Sequence, residues 1–407
     1  MNEIENNRRW YTKAISGFRA TFHIWIDEVK AIFKDRGVMI LVVAAPLIYP
    51  LLYGVIYKNE TLVDVPIAIV DQSRSSLSAA LIRKIDATRE LKVVDKFHSM
   101  HEAQEQFNRA KIHGIIYFPS DFNKNIQMGR QANISTYSNM SSFMYYRSMV
   151  LGTNYVILDA NKNIQFSRLA SMGITGQQAN QVVSTIKPTS NIIYNGGMGF
   201  ASFLMPALLI LIIHQTLVFA MGMAAGTARE ENRFHELVSS SQHHGKIYRV
   251  VFGKSMAYFS IYLLLSTYIL GIVPLIFNFP HHGQALVMLQ FIVPFLLATV
   301  FFAMLLSVFN PERETQMLML LFFSIILLFI SGVSWPQSNI SSFWKVLSYL
   351  FPSTFGIQAY IKINSMGANL HEIRFELIGL WIQTVVYFSL ATIAYYWQIN
   401  KSVKKME

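Results

Sequence analysis

The chain has 407 residues, of which 53% are hydrophobic and 14% are charged, and its formal net charge at pH 7 is +11. A soluble globular protein carries about 25% charged residues, so much of this chain must face lipid. The absence of cysteine excludes disulfides, catalytic thiolates and cysteine-ligated metal centres, and the positive charge is expected first in cytoplasmic loops rather than on a nucleic-acid surface.

Residues 1–36 are predicted to form a cytoplasmic amphipathic helix that lies in the membrane interface. Apolar side chains recur there at alternating steps of three and four, which places them on one stripe of a helix. The stripe consists of Ile15, Phe18, Phe22, Trp25, Val29 and Ile32. Basic residues accompany the stripe, as in helices that lie on a membrane surface. The alternative is a helix packed against a soluble partner.

The first transmembrane helix is predicted over 37–57 and contains Pro46 and Pro50. Membrane helices tolerate proline when neighbours satisfy the freed carbonyl groups. Residues 58–195 contain no long apolar run, and their alternating strand and helix patterns are typical of an inserted α/β domain. The predicted strands are 65–71, 91–97, 113–118 and 132–138. The predicted helices are 75–85, 100–110 and about 142–170.

Five further apolar runs predict a transmembrane bundle over 196–407. The runs cover about 200–225, 254–277, 286–309, 316–335 and 375–397. Each run has the length that a helix needs to cross a bilayer. The predicted fold class is therefore a membrane all-α bundle of six transmembrane helices, with the α/β domain inserted between the first and second helices.

The distribution of basic residues predicts the orientation of this bundle. The loop 226–253 and the C-terminal tail are rich in Lys and Arg, whereas 278–285 has none and 336–372 has two. The positive-inside rule then places both termini in the cytoplasm. Long domains are translocated largely regardless of charge, so the basic residues of 58–195 do not oppose this orientation. The α/β domain is predicted to be extracytoplasmic.

No catalytic or metal site is predicted. The phosphate-binding pattern GxxxxGK followed by Ser or Thr is incomplete at 253–255, because Tyr248 occupies the position of its first glycine. The motifs GxSxG and HExxH are also missing. The pairs His243–His244 and His281–His282 lack carboxylates or further histidines at the spacing of metal ligands.

Two features point to function without defining it. His214 lies inside a predicted span, and an ionisable group at bilayer depth is a functional candidate because its desolvation must be offset by a partner. An interhelical hydrogen bond that holds the bundle together is the alternative role. Residues 228–240 are rich in both acidic and basic side chains, and from charge alone they could equally be a solvated loop.

Four stretches of the sequence together carry a recognisable pattern. Residues 27–54 combine an interfacial helix, a charged Lys–Asp–Arg turn and a proline-containing span. Residues 65–78 and 114–134 belong to the inserted domain, and 228–240 form the charged segment between two spans. Residues 331–370 contain Gly and Pro, a hairpin and a short helix before the last span. Over nearly its whole length, the chain thereby resembles the type-2 family of ATP-binding-cassette (ABC) export permeases with a large extracytoplasmic domain.

The resemblance implies a transport subunit that is not itself an enzyme. Its expected partners are two copies of an ABC ATPase, which bind ATP and Mg²⁺, and a second permease, either identical or related; this chain binds no cofactor itself. A cytoplasmic coupling segment, 226–253, would dock on the ATPase, and a re-entrant extracytoplasmic hairpin would cover 336–372. The implied coupling residues are Arg229, Glu230, Glu231, Glu236 and Leu237. The implied substrate path contains His214, Met221, Met317, Phe322 and Phe323.

Export of amphipathic or drug-like molecules across a bacterial inner membrane is the expected function. A periplasmic adaptor protein and an outer-membrane channel are further expected partners, because simple flippases would not require so large an inserted domain. Membrane lipids are expected to contact the chain, and nucleic acid is not. The alternatives are a non-transporting envelope complex driven by the ATPase, an exporter of a lipid or polysaccharide, and a receptor that uses the inserted domain. At Arg233–Phe234 and Ser241–Gln242 the chain departs from the family pattern, so the resemblance does not define the register of the docking contact.

Overall fold

A computed structural model describes residues 2–184, 193–230, 247–309 and 326–403, with side chains described between 17 and 399 within these ranges. The chain divides into two compact units. The helical unit consists of Met1–Lys58 and Ile193–Glu407, and the α/β unit consists of Asn59–Ile192.

Helices dominate the described residues and are numbered here in chain order. They are α1 (Asn2–Lys34), α2 (Arg36–Ile56), α3 (Ser76–Asp86), α4 (Met100–Asn108), α5 (Phe122–Gln127), α6 (Phe143–Ser171), α7 (Gly176–Val183), α8 (Phe200–Glu230), α9 (Ile247–Ile276), α10 (Ala285–Ser307), α11 (Ser342–Ser348), α12 (Pro352–Met366) and α13 (Arg374–Val403). A short 3₁₀ helix, Gln337–Asn339, precedes α11.

The α/β unit is built on a four-stranded sheet with the order β2-β1-β3-β4. The strands are β1 (Val65–Asp71), β2 (Leu91–Phe97), β3 (Gly114–Phe118) and β4 (Ser135–Ser138). Strand β1 runs parallel to β2 and β3, whereas β4 is antiparallel to β3 at the edge. The register pairs Ile69 of β1 with Ile116 of β3. All four strands lie within the predicted strand ranges, and β4 is shorter than predicted.

Strand β1 is buried on both faces because helices cover both sides of the sheet. Ile67 and Ile69 pack into one cluster with residues of α3 and α6, and Ala68 and Val70 pack into a second cluster with α4. All four side chains are fully buried. A parallel strand covered on both sides shows a continuous apolar run rather than alternation, which is the pattern of VPIAIVD in the sequence.

Five helices of the helical unit are long and apolar enough to cross a membrane: α2, α8, α9, α10 and α13 as far as Ile399. Helices α8 and α10 are central, since 72% and 67% of their most apolar windows are buried, compared with 28% to 33% for the other three. The first ten of the twenty residues of the remaining predicted span, 316–335, lie outside the described residues, and 326–330 are helical. The count of six spans therefore stays a prediction.

Helices α2 and α8 lie side by side and run in opposite directions. At one end, Thr227 Oγ1 donates to Asp35 Oδ2 over 3.3 Å; at the other, the rings of Tyr57 and Phe200 lie 5.8 Å apart. We call the end at Asp35 and Thr227 the coupling end of the helical unit, and the end at Tyr57 and Phe200 its hairpin end. The chain leaves α2 and enters α8 at the hairpin end.

Proline in the spans is accommodated by wider turns and by neighbouring donors. A π-helical turn at Tyr268–Ile272 directly precedes Pro274 in α9. Proline cannot donate to the carbonyl four residues earlier, and that carbonyl, of Leu270, accepts the hydroxyl of Tyr360 over 3.1 Å instead. A second π-helical turn, Ile40–Ala44, precedes Pro46 in α2. The neighbour that satisfies the freed carbonyl comes from α12, far away in the sequence.

The segment predicted as a hairpin, 336–372, extends into the bundle and returns to the hairpin end. The ring of Phe351, just before α12, lies 5.8 Å from Phe302 in the second half of α10. Near the end of α12, Asn364 Nδ2 donates to the carbonyl of Pro280 over 2.9 Å. Gly367 then ends the helix in the left-handed conformation, with φ of 67°, which only glycine adopts at little cost. The position of this hairpin relative to a membrane stays a prediction.

Candidate coupling site

Polar side chains from five helices converge at the coupling end, where α8 ends at Glu230 and α9 begins at Ile247. Residues 231–246, between them, lie outside the described residues. We call this convergence the coupling cluster. Its members are Glu28, Asp35, Thr227, Arg229, Lys254, Ser307, Tyr395 and Gln398.

An ion pair joins α1 to α9 in this cluster. Lys254 Nζ lies 2.7 Å from Glu28 Oε2, and the two side chains are only 23% and 14% exposed. Removal of one partner from a buried pair leaves the other charge uncompensated in a poorly solvated position. The pair therefore fixes α1 against α9.

The backbones of α1 and α9 approach each other closely at the same place. A Cβ atom added at Gly253 would lie 2.9 Å from Ile24 Cγ2 and 3.0 Å from the carbonyl oxygen of Thr21. The indole nitrogen of Trp25 donates to the carbonyl of Met256 over 3.2 Å and to Ser260 Oγ over 3.1 Å. Helix α1 is thus held to α9 by packing, hydrogen bonds and charge together.

The face of α1 that packs on the bundle includes Trp25, Val29 and Ile32 of the predicted apolar stripe but not its earlier phenylalanines. Ile32 of that stripe is buried, but Phe18 and Phe22 are 73% and 49% exposed. Ala20 and Ile24, which the stripe omits, are buried instead. Close approach of two helices favours small residues at the contact, whereas the hydrophobic pattern gives most weight to large ones. The two exposed phenylalanines are on the surface that the sequence predicts to face lipid.

Asp35, in the charged turn between α1 and α2, connects three helices. Its Oδ1 accepts the backbone N–H groups of Gly37 at 2.9 Å and Val38 at 3.3 Å, as is usual for an acidic N-cap residue. Its Oδ2 accepts the hydroxyl of Thr227 on α8. The Lys–Asp–Arg turn of the sequence therefore fixes the start of α2 and its contact with the end of α8.

Arg229, a predicted coupling residue, ties the end of α8 to α10 and α13. Its Nη2 donates to the carbonyl of Ser307 over 3.4 Å and to that of Val308. These are among the last carbonyl groups of α10, which have no partner within the helix and carry its negative dipole end. With its amide oxygen turned inward, Gln398 of α13 accepts from Arg229 Nε at 3.1 Å and Nη2 at 2.7 Å.

The other predicted coupling residues are only partly covered by the structure. Glu230 is exposed at the last position of α8. Glu231, Glu236 and Leu237 lie outside the described residues. The coupling patch as a whole stays a prediction; of its members, Arg229 belongs to the coupling cluster and Glu230 follows it on α8.

A cavity of about 40 Å³ lies among the side chains of the cluster. It is lined by Glu28, Met221, Ala224, Ala225, Ala228, Lys254, Tyr258, Met304, Ser307 and Tyr395. A space of this size holds roughly one or two water molecules and is far smaller than a small-molecule pocket. The cavity is therefore a gap between packed helices and not a substrate chamber.

Two predicted path residues lie seven positions apart on α8. Met221 lines the small cavity, and His214 is buried with its ring 5.9 Å from that of Phe302. Within the described part of the chain, neither ring nitrogen of His214 has a hydrogen-bond partner. Because Phe302 also contacts Phe351, His214 lies near the innermost part of the hairpin. Met317, Phe322 and Phe323 lie outside the described residues, so the substrate path stays a prediction.

A second charged pair lies at the hairpin end and was not found from the sequence. Lys362 Nζ on α12 lies 2.6 Å from Glu376 Oε1 on α13, and Glu376 is almost completely buried. A signal for Glu376 existed in the sequence, because it is a carboxylate inside a predicted span and such a group requires a partner. The partner itself could not be identified from local pattern. Glu28 of the coupling cluster was likewise not predicted as a site residue.

The family comparison decides the class of this membrane protein. A family model described as "ABC-2 family transporter protein" matches residues 36–393, from the first residue of α2 into α13. The chain belongs to the ABC-2 transporter family. The resemblance to type-2 ABC permeases is thereby confirmed, and no curated protein matches the chain significantly.

Family membership defines the coarse role of this ABC-2 permease. It is a multi-pass membrane subunit of an ABC transporter, and the family implies a separate ABC ATPase as its partner. Across the ranges that the structure describes, no group of three or more His, Asp or Glu side chains could hold a metal ion.

Proposed function

We propose that this permease exports amphipathic or drug-like molecules across a bacterial inner membrane, as one of two permease copies driven by two ABC ATPase subunits. The observation that supports the coupling role is the convergence of Arg229 and Lys254 in one charged cluster. These residues lie near the two ends of the segment predicted to dock on the ATPase. A movement of that segment would reach four other helices through the contacts of the cluster.

In the proposed mechanism, ATP-driven closure of the ATPase subunits displaces the segment 228–240. Helices α8 and α9 each span the distance between the coupling end and the hairpin end, and packed helices move as rigid elements between discrete arrangements. Arg229 would carry the displacement to α10 and α13, and the Glu28–Lys254 pair would carry it to α1. The bundle would then alternate between inward-open and outward-open states.

The choice of an amphipathic substrate rests on the predicted path residues. Met221, Met317, Phe322 and Phe323 present soft or aromatic apolar surface, and Met in particular adapts to ligands of different shape. His214 adds a polar group at mid-depth. A path of this composition suits molecules that are mostly apolar with a few polar atoms.

The proposed orientation places both termini in the cytoplasm and the α/β unit outside, where it would dock a periplasmic adaptor. Besides the charge distribution, this orientation is supported by the connection of α2 and α8 at the hairpin end, opposite the coupling cluster. The large inserted unit would then emerge on the side away from the ATPase.

Site-directed labelling tests this orientation cleanly, because the chain contains no cysteine. Ser120 is exposed between β3 and α5, and Ser240 belongs to the coupling segment. A membrane-impermeant maleimide is expected to label a Ser120→Cys variant in intact spheroplasts, and a Ser240→Cys variant only after permeabilisation. The reverse pattern would reject the orientation and, with it, the proposed direction of export.

Co-purification with an ABC ATPase from the same organism tests the function itself. We expect a stable complex whose ATP hydrolysis is stimulated by amphipathic compounds, because substrate and ATPase would act through the same bundle. Uptake of a labelled amphipathic compound into inverted vesicles then distinguishes an exporter from a non-transporting envelope complex. If the two proteins do not associate, the proposal fails.

A further inference from the structure

The α/β unit contains a groove of about 500 Å³ between α3, α5 and α6. This volume is within the range of roughly 300 to 1,000 Å³ found for small-molecule sites. The groove is lined by Leu77, Ala80, Leu81, Lys84, Ile126, Gln127, Ala160, Asn163, Ile164, Ser167, Arg168 and Ser171. None of these residues was singled out by the sequence, and the groove is separate from the coupling cluster.

The helical repeat of two segments produces the walls of the groove. On α3, Leu77, Leu81 and Lys84 recur at steps of four and three, which places them on one face. The first half of α6 packs into the sheet cluster through Met149 and Val156, whereas its later turns, from 160 to 171, line the groove. Helix α6 therefore belongs to the core at its start and forms a groove wall towards its end.

Six of the lining residues are apolar, four are polar and uncharged, and two are basic. Lys84 Nζ lies 2.8 Å from Asp159 Oδ2, so a carboxylate already balances its charge. This contact with Lys84 lowers the pKa of Asp159. The acidic partner therefore stays ionised at neutral pH, and Lys84 retains little net attraction for a further anion.

Arg168 has a different environment. Its Nη2 donates to the carbonyl of Ile126 over 2.6 Å, which uses one of the five N–H donors of a guanidinium. Of the carboxylates in the described residues, none forms an ion pair with Arg168. The carbonyl contact orients the guanidinium without neutralising it, so Arg168 is the uncompensated cation of the groove.

The distance between the two basic places defines the shape of a ligand. Lys84 lies on α3, but its partner Asp159 lies on α6 and so marks the level of Lys84 along that helix. Arg168 follows Asp159 by nine residues on α6. This spacing corresponds to about 13 Å along the helix axis. Leu81, Ile126 and Ile164 supply apolar surface to the same groove. A charged group at Arg168 could therefore be followed by an extended alkyl chain directed towards Lys84.

We propose that this groove binds an amphipathic anion, with the anionic headgroup on the Arg168 guanidinium and the alkyl chain along the apolar surface of α3 and α6. A guanidinium binds carboxylate, sulfonate or phosphate oxygens through paired N–H donors, and the apolar wall binds hydrocarbon. A transported molecule and a lipid from the surroundings can share this chemistry, and the experiment below distinguishes the two sources. The inference goes beyond the proposed function, since such binding would not depend on transport or on its direction.

Photolabelling of the full-length protein in lipid nanodiscs tests this site. The probe is a diazirine-bearing decanoate, with excess decanoate as one competitor and decylammonium as the other. We expect labelled peptides from α3 and α6, with labelling suppressed by decanoate and not by the cation of equal length. Mass spectrometry of the molecules that co-purify with the protein distinguishes the two sources. A bound lipid of the nanodisc indicates a lipid ligand, and its absence indicates that the groove takes the added compound. Labelling confined to the helical unit, or equal competition by decylammonium, would overturn the proposal.

Matched variants separate recognition of charge from damage to the fold. Arg168→Gln is expected to lower decanoate affinity at least tenfold, and Arg168→Lys to retain part of it. Arg83→Gln removes a basic residue that does not line the groove, so this variant should bind decanoate with unchanged affinity. Ala80→Phe keeps Arg168 but fills the groove, and it should also prevent labelling. Unchanged binding in both Arg168→Gln and Ala80→Phe would remove this groove as the site.

Discussion

Replacement of Glu230 and Glu236 together by Lys is expected to abolish export and stimulation of the ATPase, while insertion into the membrane persists. Glu230 is exposed at the end of α8, next to Arg229, and Glu236 belongs to the same predicted coupling segment. Reversal of charge at a docking surface replaces attraction by repulsion. Such a change typically costs about 3 kcal/mol, which weakens association about 100-fold.

A second double reversal provides the control for this experiment. Glu102 and Glu105 are exposed on α4 of the α/β unit, so Glu102→Lys with Glu105→Lys changes the net charge by the same amount at a different place. This control should retain ATPase association, as measured by co-purification and by the rate of ATP hydrolysis. Normal export by the Glu230→Lys, Glu236→Lys variant would show that the coupling surface lies elsewhere.

Reversal of one member of the Glu28–Lys254 pair is expected to destabilise the permease strongly and to reduce its coupling to the ATPase. Either Glu28→Lys or Lys254→Glu places two like charges about 3 Å apart in a poorly solvated position. Removal of one partner from such a pair costs roughly 3 to 5 kcal/mol. Because α1 would separate from α9, we expect a lower midpoint of thermal unfolding and a loss of ATPase stimulation.

The double reversal Glu28→Lys with Lys254→Glu should recover most of the lost stability, since it restores an ion pair with the opposite polarity. An exposed pair on the same helix is the matched control. Asp27 and Lys30 are 4.0 Å apart with side chains 76% and 74% exposed, and pairs of this kind contribute about 0 to 1 kcal/mol. Their single reversals should leave the unfolding midpoint almost unchanged. Equal effects at the two pairs would mean that Glu28 and Lys254 do not hold α1 in place.

Much of the local structure could be predicted because it depends on neighbouring residues. The continuous apolar run at 65–71 predicted β1, and the structure has a strand with those bounds. The apolar run at 37–57 predicted a span, and α2 covers Arg36–Ile56. Strand, helix and span lengths follow from short-range periodicity and from the thickness of a bilayer.

The candidate site was predictable only in outline. Charge in 228–240 and the family resemblance indicated a coupling segment, and Arg229 was among its named residues. The contacts of Arg229 with the end of α10 and with α13 were not visible, because free carbonyl groups at a helix end carry no mark in the sequence. The packing of α1 on α9 was not predicted, since Phe18 and Phe22 dominate the hydrophobic pattern whereas Gly253 decides where the helix can approach α9.

The sequence by itself indicated a membrane protein of helical spans with a mixed α/β segment, because composition and periodicity are local properties. Its role as a permease was implied only by the resemblance to type-2 ABC permeases. Only the tertiary structure decided which charges meet. Glu28 pairs with Lys254 and Lys362 pairs with Glu376, whereas Arg168 forms no ion pair with a carboxylate of the described residues. Pairing of this kind depends on how distant helices pack. A buried charge requires a partner, but the sequence alone does not show which of the many Lys and Arg residues will lie beside a given buried carboxylate in the folded protein.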